Sequence, residues 1–458
     1  MDGAIVQSAL TMAQPSADAE MPSSIDALVF ELRPHALVLA GFAARVAPMV
    51  AASWFLPVRR RHLRPPQLPG EDWVVLRPRY TGICGSDVFQ AFVRADLDNP
   101  LSALVSFPHV MGHEIVAQVL RTGSAVRDLG DGAWVAIDPW LGCLARGLRP
   151  LCASCEAGHT PLCSRVSEPP PGGDGWGMHL GNVRDLPGGF STLMVAHRSQ
   201  CHPIPPGLDP AAAVLADPLA VGWHAVSRTQ WTGDLAVVLG AGTVGLSVTA
   251  ALRIQYPQAT VITTAAWSHT SAAVSALGAI PCGVRPGSLV SEVARYTGAR
   301  AVRSLLGKTW LVGGGVPLVI DAVGTAGTLD TALRIVAPRG QVVKVGVGQP
   351  GRLDSTLAYY KEVSIVGSNG YGWTETGGLR IHDLDRALDL LVAGRLPARQ
   401  WLTHAYPMTA WRQAFATAAR PGRTRAIKVT LRPTAAEPGE GPSGDRERTT
   451  ALGARTSP

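Results

Sequence analysis

Charged and aromatic side chains are scarce in this sequence, and its basic residues form no cluster. Only 16% of the 458 residues are charged and 6% are aromatic. The 41 basic and 34 acidic residues leave a formal charge of +7, but only residues 59–61 form a basic run. A nucleic-acid surface needs clustered basic residues with aromatic side chains between them. We therefore expect no nucleic-acid partner.

Long apolar runs are also rare. Residues 1–24 lack the basic head and apolar run of a secretory signal. Only residues 36–56 approach the length of ~20 residues that crosses a bilayer, and they contain Arg45 and Pro48. We interpret 36–58 as a helical insertion packed on the protein, and we expect a cytoplasmic protein. The alternative is a membrane tether through this segment.

The cysteines are few and odd in number, which argues against a disulfide framework. Four of the seven lie close together in one loop rich in proline and glycine, namely Cys143, Cys152, Cys155 and Cys163. Four thiolates can close a tetrahedral structural zinc site. Cys201 and Cys282 follow no such pattern and are expected to be ordinary buried thiols.

The order of apolar runs predicts an α/β protein with two ordered domains. At 458 residues and 46% hydrophobic residues, the chain is too long for one ordinary core. Residues 25–221 alternate short apolar runs with turns, as in an antiparallel barrel. Residues 222–364 alternate buried strands with helices, which predicts a parallel doubly wound sheet. Residues 365–432 return to the first pattern, and 1–24 and 433–458 are expected to be disordered tails.

A glycine-rich turn follows the predicted strand 235–239. The spacing is Gly240-x-Gly242-x-x-Gly245, followed by a helical stretch. Gly240 would permit the tight turn, Gly242 the approach of a pyrophosphate, and Gly245 the close packing of helix and strand. The phosphates would then lie at the helix N-terminus. Because the motif opens a strand–helix series, it predicts a dinucleotide site.

The sequence does not decide whether the cofactor is NAD or NADP. The second strand of such a domain ordinarily ends in an acid that binds the adenosine ribose of NAD, but Ala265 occupies that position. The missing carboxylate favours NADP. No arginine follows nearby in the sequence, and His269 is a poor phosphate ligand at neutral pH.

A second candidate zinc site combines three kinds of ligand. Cys84 lies in TGICGSD, His113 and Glu114 lie in GHE, and Asp217 lies in ADPLA. A catalytic zinc takes three protein ligands and leaves one position open. Taken singly, these residues would more often be a buried thiol, a core histidine or a helix cap. Their joint spacing favours a metal site.

Taken together, these motifs resemble the zinc-dependent medium-chain dehydrogenase/reductase family, which includes alcohol, sorbitol and threonine dehydrogenases. The resemblance covers residues 25–432 and keeps the order of the motifs, which are GICGSD, GHE, the cysteine loop, GGF, DPLAVGWHA, GAGTVG, DAVG and RGQVVKVG. It implies a discontinuous GroES-like β-barrel catalytic domain with an inserted Rossmann domain. It also implies a homo-oligomer, either a dimer or a tetramer.

The resemblance also implies residue roles. Cys84 and His113 resemble catalytic zinc ligands, Glu114 resembles a carboxylate that exchanges on and off the zinc, and Asp217 stands where relatives carry glutamate. Asp87 resembles the carboxylate that orients the zinc-bound histidine. Ser86 resembles the hydroxyl that takes the alcohol proton. The positions that resemble the cofactor cleft are Gly240, Gly242, Thr243, Val244, Gly245, Ala265, Asp321 and Gly346.

The sequence departs from the family pattern in four places. Phe89 stands where relatives often carry the outer histidine of the proton relay. Eight residues, not the usual two, separate Cys143 and Cys152. Residues 36–58 look inserted, and Asp217 is one methylene shorter than glutamate.

The activity implied by the resemblance is reversible hydride transfer between an alcohol and NAD or NADP, with one catalytic and one structural zinc. The substrate would be a small polyol, amino alcohol or similar molecule. One alternative is an NADPH-dependent aldehyde or ketone reductase in a biosynthetic pathway. The other is a non-catalytic scaffold, whose expected signature would be the loss of Cys84 or His113, and both residues are present.

Overall fold

The computed structural model describes most of the chain between residues 21 and 434. The described ranges are 21–32, 56–92, 99–285, 287–305, 307–348, 351–376 and 378–434. The expected tails and the apolar segment 36–58 lie almost entirely outside these ranges, so expectations about them stay predictions. Among the described residues, no helix has the length and apolarity needed to span a membrane.

Strands from both ends of the described chain build the antiparallel part of the fold. They are β1 (Ile25–Phe30), β2 (Val58–Leu63), β3 (Trp73–Gly82), β4 (His109–Val110), β5 (Glu114–Thr122), β6 (Trp134–Ile137), β7 (Met194–His197) and β8 (Cys201–Pro203), followed far along the chain by β17 (Trp373–Thr376), β18 (Leu379–His382), β19 (Leu402–Pro407) and β20 (Lys428–Arg432). The strands between these two sets are β9 (Leu235–Leu239), β10 (Thr260–Ala265), β11 (Ile280–Gly283), β12 (Arg300–Arg303), β13 (Thr309–Val312), β14 (Val316–Asp321), β15 (Val336–Lys344) and β16 (Ser364–Gly367).

Helices connect these strands. The α-helices are α1 (Gly85–Ala91), α2 (Ala153–Glu156), α3 (Pro210–Ala213), α4 (Ala216–Ser227), α5 (Thr243–Gln255), α6 (Ser268–Ala276), α7 (Ser288–Thr297), α8 (Ala326–Ile335), α9 (Thr356–Tyr360), α10 (Asp383–Val392), α11 (Ala398–Trp401), α12 (Trp411–Ala418) and α13 (Pro421–Thr424). Short 3₁₀ turns occupy Pro100–Leu104, Thr160–Leu162, Arg198–Gln200 and Met408–Ala410.

The chain leaves the antiparallel sheet and later returns to it. Its strand order is β19-β20-β3-β5-β6-β8, and β7 also pairs with β3; the neighbours run antiparallel except β19 and β20, which are parallel. The late strand β20 runs antiparallel to β3, with Thr430 opposite Gly82. The first and last parts of the described chain therefore share one sheet, as the discontinuous GroES-like barrel requires.

The parallel sheet lies between these two parts. Its strand order is β11-β10-β9-β14-β15-β16, the doubly wound arrangement. The inner strands are fully buried, as their continuous apolar runs predict; Val237 and Val238 of β9 are both 0% exposed. The predicted strand at 235–239 is confirmed. Together the two sheets confirm the predicted fold class.

A hairpin beside the parallel sheet was not predicted. Strands β12 and β13 pair antiparallel, with Arg300 opposite Val312. Most β12 residues are exposed, so its sequence carries little of the alternating apolar pattern that identifies strands. The hairpin lies near the carboxyl ends of β10 and β11, where it shares a cavity with them.

Helix α4 joins the two halves and carries Asp217 in its first turn. It packs against α5, which follows β9 of the parallel sheet, and against α10. The contact with α5 is close at Gly222, where an added Cβ would lie 2.6 Å from the backbone carbon of Ser247. The glycine in DPLAVGWHA thus sets how closely the two halves approach beside the zinc-site residues.

Candidate zinc and nucleotide sites

Three of the predicted zinc ligands converge where β3 and β5 pair. Gly82 of β3 lies opposite Glu114 of β5. Cys84 follows as the residue that precedes helix α1, and His113 immediately precedes β5. Potential ligand atoms of Cys84, His113 and Glu114 all lie within 4.8 Å of one another. A thiolate, an imidazole and a carboxylate at this separation form a donor set suited to zinc.

Asp87 lies behind the histidine of this cluster. The backbone N–H of Cys84 donates to Asp87 Oδ2 over 2.9 Å, and Asp87 Oδ1 lies 3.7 Å from His113 Nδ1. Burial alone would lower the pKa of His113, but the charges of Asp87 and Cys84 raise it to about 10. A carboxylate beside Nδ1 leaves Nε2 to face a metal, as in carboxylate–histidine–zinc arrangements.

Glu114 is paired with a lysine that sequence reasoning missed. Lys428 Nζ donates to both carboxylate oxygens of Glu114, over 2.7 Å to Oε1, and Lys428 is only 2% exposed. An added Cβ on Gly82 would lie 1.9 Å from Glu114 Oε2. Gly82 therefore makes the space that the carboxylate occupies, and binding of a metal by Glu114 competes with the ion pair.

Asp217 lies beside this cluster and has a different partner. Tyr371 donates its hydroxyl proton to Asp217 Oδ2 over 2.7 Å. Burial and the negative charge of Glu114 raise the pKa of Asp217 to about 7. Asp217 is outside the group of three ligand atoms within 4.8 Å. Both carboxylates thus adjoin Cys84 and His113, each held by a residue from the last part of the chain.

Lys428 and Tyr371 lie far from their partners in the sequence, and this explains why they were missed. Lys428 and Glu114 are 314 positions apart, and Tyr371 and Asp217 are 154 apart. Only the pairing of β20 with β3 brings Lys428 to the site. Neither residue belongs to a local motif, so no sequence signal identified it.

Ser86 and Phe89 lie on α1, next to Cys84. Ser86 is exposed in the first turn, and Phe89 is half-buried. The ring of His179 lies 4.9 Å from that of His113. Burial and the charge of His113 lower the pKa of His179 to about 3, so it stays neutral. On this helix Ser86 therefore presents an exposed hydroxyl beside Cys84.

The cysteine loop forms a compact cluster of thiols. The Sγ atom of Cys163 lies 3.7 Å from that of Cys143 and 3.9 Å from that of Cys152. The Cys143 N–H donates to Cys155 Sγ over 3.3 Å, and the Cys152 N–H donates to Cys143 Sγ over 3.4 Å. All four are free thiols. Four sulfurs at these separations, with backbone N–H groups donating to them, fit a closed structural zinc site.

The unusual insertion in this loop is anchored by an arginine. Arg146 lies between the first two cysteines and is 2% exposed. Its guanidinium donates to the carbonyls of Leu141, Glu168 and Gly177. These bonds tie the insertion to the segment that follows the loop, so the longer spacing does not separate the cysteines.

The glycine-rich turn has the geometry expected of a dinucleotide site. Gly240 has φ +98°, and an added Cβ on Gly245 would lie 2.0 Å from the Gly240 carbonyl oxygen. An added Cβ on Gly242 would meet nothing within 4 Å. Gly242 thus faces open space at the start of α5, where Thr243 and Val244 form the first turn. Backbone N–H groups at such a helix start suit a pyrophosphate.

Asp321 and Gly346 shape the adjoining part of the cleft. Asp321 accepts hydrogen bonds from the N–H groups of Val323 and Gly324 and from the Thr328 hydroxyl, over 2.9–3.0 Å. An added Cβ on Gly346 would lie 2.4 Å from the carbonyl carbon of Val323. Both residues therefore fix the backbone after β14 and β15. Ala265 ends β10 and is 5% exposed.

A third buried group combines Asp138, His202 and His382, none of which was singled out from sequence. His202 Nδ1 lies 2.6 Å from Asp385 Oδ1. The Leu384 N–H donates to His382 Nδ1, which leaves the proton on Nε2, 3.5 Å from Asp138 Oδ2. With that proton facing the carboxylate, the group is a hydrogen-bonded Asp–His network that joins the residue after β6 to β8, β18 and α10.

Comparisons with known proteins agree with this arrangement. The family model described as an alcohol dehydrogenase GroES-like domain matches residues 70–206, and that described as a zinc-binding dehydrogenase matches residues 243–392. A sorbitol dehydrogenase of Halalkalibacterium halodurans is 27% identical over 81% of this chain and 94% of its own length. An L-galactonate-5-dehydrogenase of Escherichia coli is 26% identical over 76% and 88%.

A solved structure shares the fold. The 2R,3R-butanediol dehydrogenase of Bacillus subtilis superposes with a TM-score of 0.65 at 20% identity, covering 90% of this chain and all of its own. The two matched family models follow the same order as the barrel and the parallel sheet. The chain belongs to the zinc-dependent medium-chain dehydrogenase family.

Proposed function

We propose that this protein is a zinc-dependent oxidoreductase that transfers a hydride between a small polyol or related alcohol and NAD(P). The observation that carries the proposal is the convergence of Cys84, His113 and Glu114 within 4.8 Å in a chain that also has a glycine-lined dinucleotide cleft. A zinc held there would supply Lewis acidity towards the alcohol, and a nicotinamide dinucleotide in the cleft would supply the hydride acceptor.

The residues of the chain have separate tasks in this proposal. Cys84 and His113 hold the zinc, and Asp87 orients the histidine ring. Asp217 or Glu114 supplies the third ligand, each from a hydrogen-bonded position. The exposed hydroxyl of Ser86 takes the alcohol proton and passes it to water, since Phe89 offers no proton acceptor.

The cofactor and structural sites complete the assignment. Gly240, Gly242 and Gly245 admit the pyrophosphate at the start of α5. The four cysteines of the 143–163 loop hold a structural zinc. Relatives named for sorbitol and L-galactonate support a polyol or sugar-acid substrate over a simple alcohol.

The proposal is tested by turnover of a polyol panel with both nicotinamides. We expect at least one polyol to reduce the nicotinamide. We expect Cys84→Ser to lower kcat/KM by about 10³-fold or more. This loss corresponds to about 4 kcal/mol of transition-state stabilisation, because each 1.4 kcal/mol is tenfold in rate. Cys201→Ser is the matched control, because Cys201 is equally a free thiol but is 2% exposed and outside both clusters. No turnover with any polyol or carbonyl, or equal turnover in Cys84→Ser, would contradict the proposal.

Reduction of a carbonyl is the second candidate direction. The absence of an acid at Ala265 favours it, since NADPH is the usual donor in reductive pathways. Comparing kcat/KM for alcohol oxidation with that for carbonyl reduction decides between the two directions.

We further propose a homo-oligomer. Strand β16 forms an edge of the parallel sheet, and its Ile365 is 44% exposed. An open strand edge with an apolar side chain can pair with another copy. Light scattering after gel filtration tests for a dimer or tetramer against a monomer. The expected cytoplasmic location stays a prediction for cell fractionation.

A further inference from the structure

A cavity of about 580 Å³ opens at one end of the parallel sheet. Leu239, Thr264 and Gly283 contribute to its lining, and they lie at the carboxyl ends of β9, β10 and β11. Ligands of doubly wound sheets bind outside the carboxyl ends of the strands. The half of the sheet that carries the glycine-rich turn takes the adenosine portion of a dinucleotide. The cavity therefore lies where the adenosine end of the cofactor is expected.

The end of β10 carries no negative charge. Ala265 is followed by Ala266, Trp267 and Ser268. A carboxylate at this position would bind the ribose hydroxyls of NAD and repel a phosphate on the 2′ oxygen. The methyl side chain of Ala265 neither binds the ribose hydroxyls nor repels a phosphate. The position therefore leaves room for a 2′-phosphate.

An arginine approaches this point from the neighbouring strand. Gly283 of β11 is the register partner of Ala265, and Arg285 follows two residues later. Adjacent strands lie about 4.8 Å apart, so the Arg285 side chain can reach a group bound beside Ala265. Arg285 is exposed and lines the cavity, and within the described ranges its guanidinium has no ionic partner.

The unpredicted hairpin adds a second arginine. Arg303 ends β12, lines the same cavity, and donates from Nε to the Gly307 carbonyl over 3.1 Å. This bond holds the side chain at the hairpin while its terminal nitrogens have no described partner. Two further cations of the cavity, Lys308 and Arg334, are instead both paired with Asp330 over 2.8 Å.

The charge balance of the lining favours an anion. Four cationic side chains face the cavity against the single carboxylate of Asp330, a formal excess of 4 − 1 = +3. Guanidinium groups bind phosphate through two parallel N–H donors, which a ribose hydroxyl does not match. The uncompensated pair, Arg285 and Arg303, therefore suits a doubly charged phosphate at the ribose.

We propose that Arg285 and Arg303 bind the 2′-phosphate of the adenosine ribose, so that this protein selects NADP(H) over NAD(H). The inference rests on the proposed function in that it assumes a nicotinamide dinucleotide in this cleft. It revises the sequence-level view that no arginine is available: the arginines come from the ends of β11 and β12, not from the segment after β10.

The test measures binding of two fragments of the cofactor, so it needs no substrate and no turnover. Adenosine 2′,5′-bisphosphate and adenosine 5′-monophosphate are titrated into the zinc-loaded full chain by calorimetry. Hydrogen bonds to charged groups contribute about 1.5–3 kcal/mol, and 1.4 kcal/mol is tenfold in affinity. We therefore expect the bisphosphate to bind at least about tenfold more tightly, with a preference that weakens at high salt.

Variants assign the preference to particular side chains. Arg285→Ala is expected to remove about tenfold of the preference while leaving the affinity for 5′-monophosphate within about twofold. Arg303→Ala is expected to do the same to a smaller extent, since Arg303 enters from the hairpin. Arg300→Ala is the matched control, because Arg300 is an exposed arginine of β12 that does not line the cavity.

The outcomes separate the two proposals. Equal affinity for the two fragments, or a preference unchanged in Arg285→Ala, overturns the NADP inference and leaves the proposed oxidoreductase intact. Binding of neither fragment overturns both the inference and the dinucleotide part of the proposed function.

Discussion

Lys428 and Glu114 form a buried ion pair that joins the two ends of the catalytic barrel. The pair spans 314 positions, and its two side chains are 3% and 2% exposed. Burial would lower the pKa of Lys428, but the charge of Glu114 raises it above its ordinary value. Lys428 therefore stays charged at neutral pH, and its bonds to Glu114 fix the last strand against the strand that leads to Cys84.

We expect Lys428→Met to destabilise the protein by about 3–5 kcal/mol, because it leaves a buried carboxylate without a partner. The measurement is the free energy of urea unfolding. The double variant Lys428→Met/Glu114→Gln removes both charges and is expected to recover most of the loss. A single variant as stable as the wild type, or a double variant no better than the single, would show that the pair has no such role.

The barrel strands, the parallel sheet and the cysteine cluster could be predicted because local sequence determines them, whereas the Cys84 cluster was predicted from motifs that resemble the dehydrogenase family. The apolar run at 235–239 and the glycine spacing after it identify a strand and a turn without tertiary information. The four cysteines identify their site because thiolates bunched in a polar loop have few other roles.

The partners of the zinc-site carboxylates could not be predicted. Tyr371 reaches Asp217, and Lys428 reaches Glu114, only after distant segments pack together. Arg285 was missed for a related reason, since its distance from Ala265 is set by strand register and not by sequence separation. Long-range pairing, which no local motif encodes, decides these contacts.

Two glycines of the nucleotide turn should respond differently to alanine. We expect Gly245→Ala to cost about 1–3 kcal/mol of stability, because the new Cβ would lie 2.0 Å from the Gly240 oxygen. Gly242→Ala meets no protein atom within 4 Å, so it should fold normally yet bind the dinucleotide about tenfold or more weakly. Thermal unfolding and calorimetric titration measure the two effects. Normal cofactor binding by Gly242→Ala would place the pyrophosphate elsewhere.

His109 should make the protein sensitive to mild acid. The side chain is 1% exposed, and burial lowers its pKa from 6.5 to about 4, although the Ser106 carbonyl opposes the shift. Between these values the unfolded chain binds a proton that the folded chain does not, so stability falls as pH falls from 6.5 towards 4. The contribution is about 1–3 kcal/mol across this window.

The comparison of His109→Gln with wild type isolates this contribution. We expect the unfolding free energy of the variant to fall less steeply than that of wild type between pH 6.5 and 4.5. His62→Gln is the control, since the His62 side chain is 74% exposed. Parallel pH profiles for wild type and His109→Gln would rule out a buried neutral histidine at this position.

The cysteine loop should hold its metal independently of the Cys84 cluster. We expect Cys155→Ser to lose one zinc per chain and to lower Tm by roughly 6–12 °C, as the loop loses the metal that closes it. Cys282→Ser is the control, since Cys282 is a free thiol of the nucleotide-binding half that is 7% exposed. Elemental analysis and a thermal melt check both effects. An unchanged zinc content in Cys155→Ser would argue against a structural site.

The most direct test of the catalytic assignment is the zinc content per chain of the wild type and of Cys84→Ser, determined by elemental analysis beside Cys201→Ser. The account predicts two zinc ions in the wild type and in Cys201→Ser, and one in Cys84→Ser, with the cysteine loop still loaded. One zinc in all three proteins would contradict it, because the site formed by Cys84, His113 and Glu114 would then hold no metal.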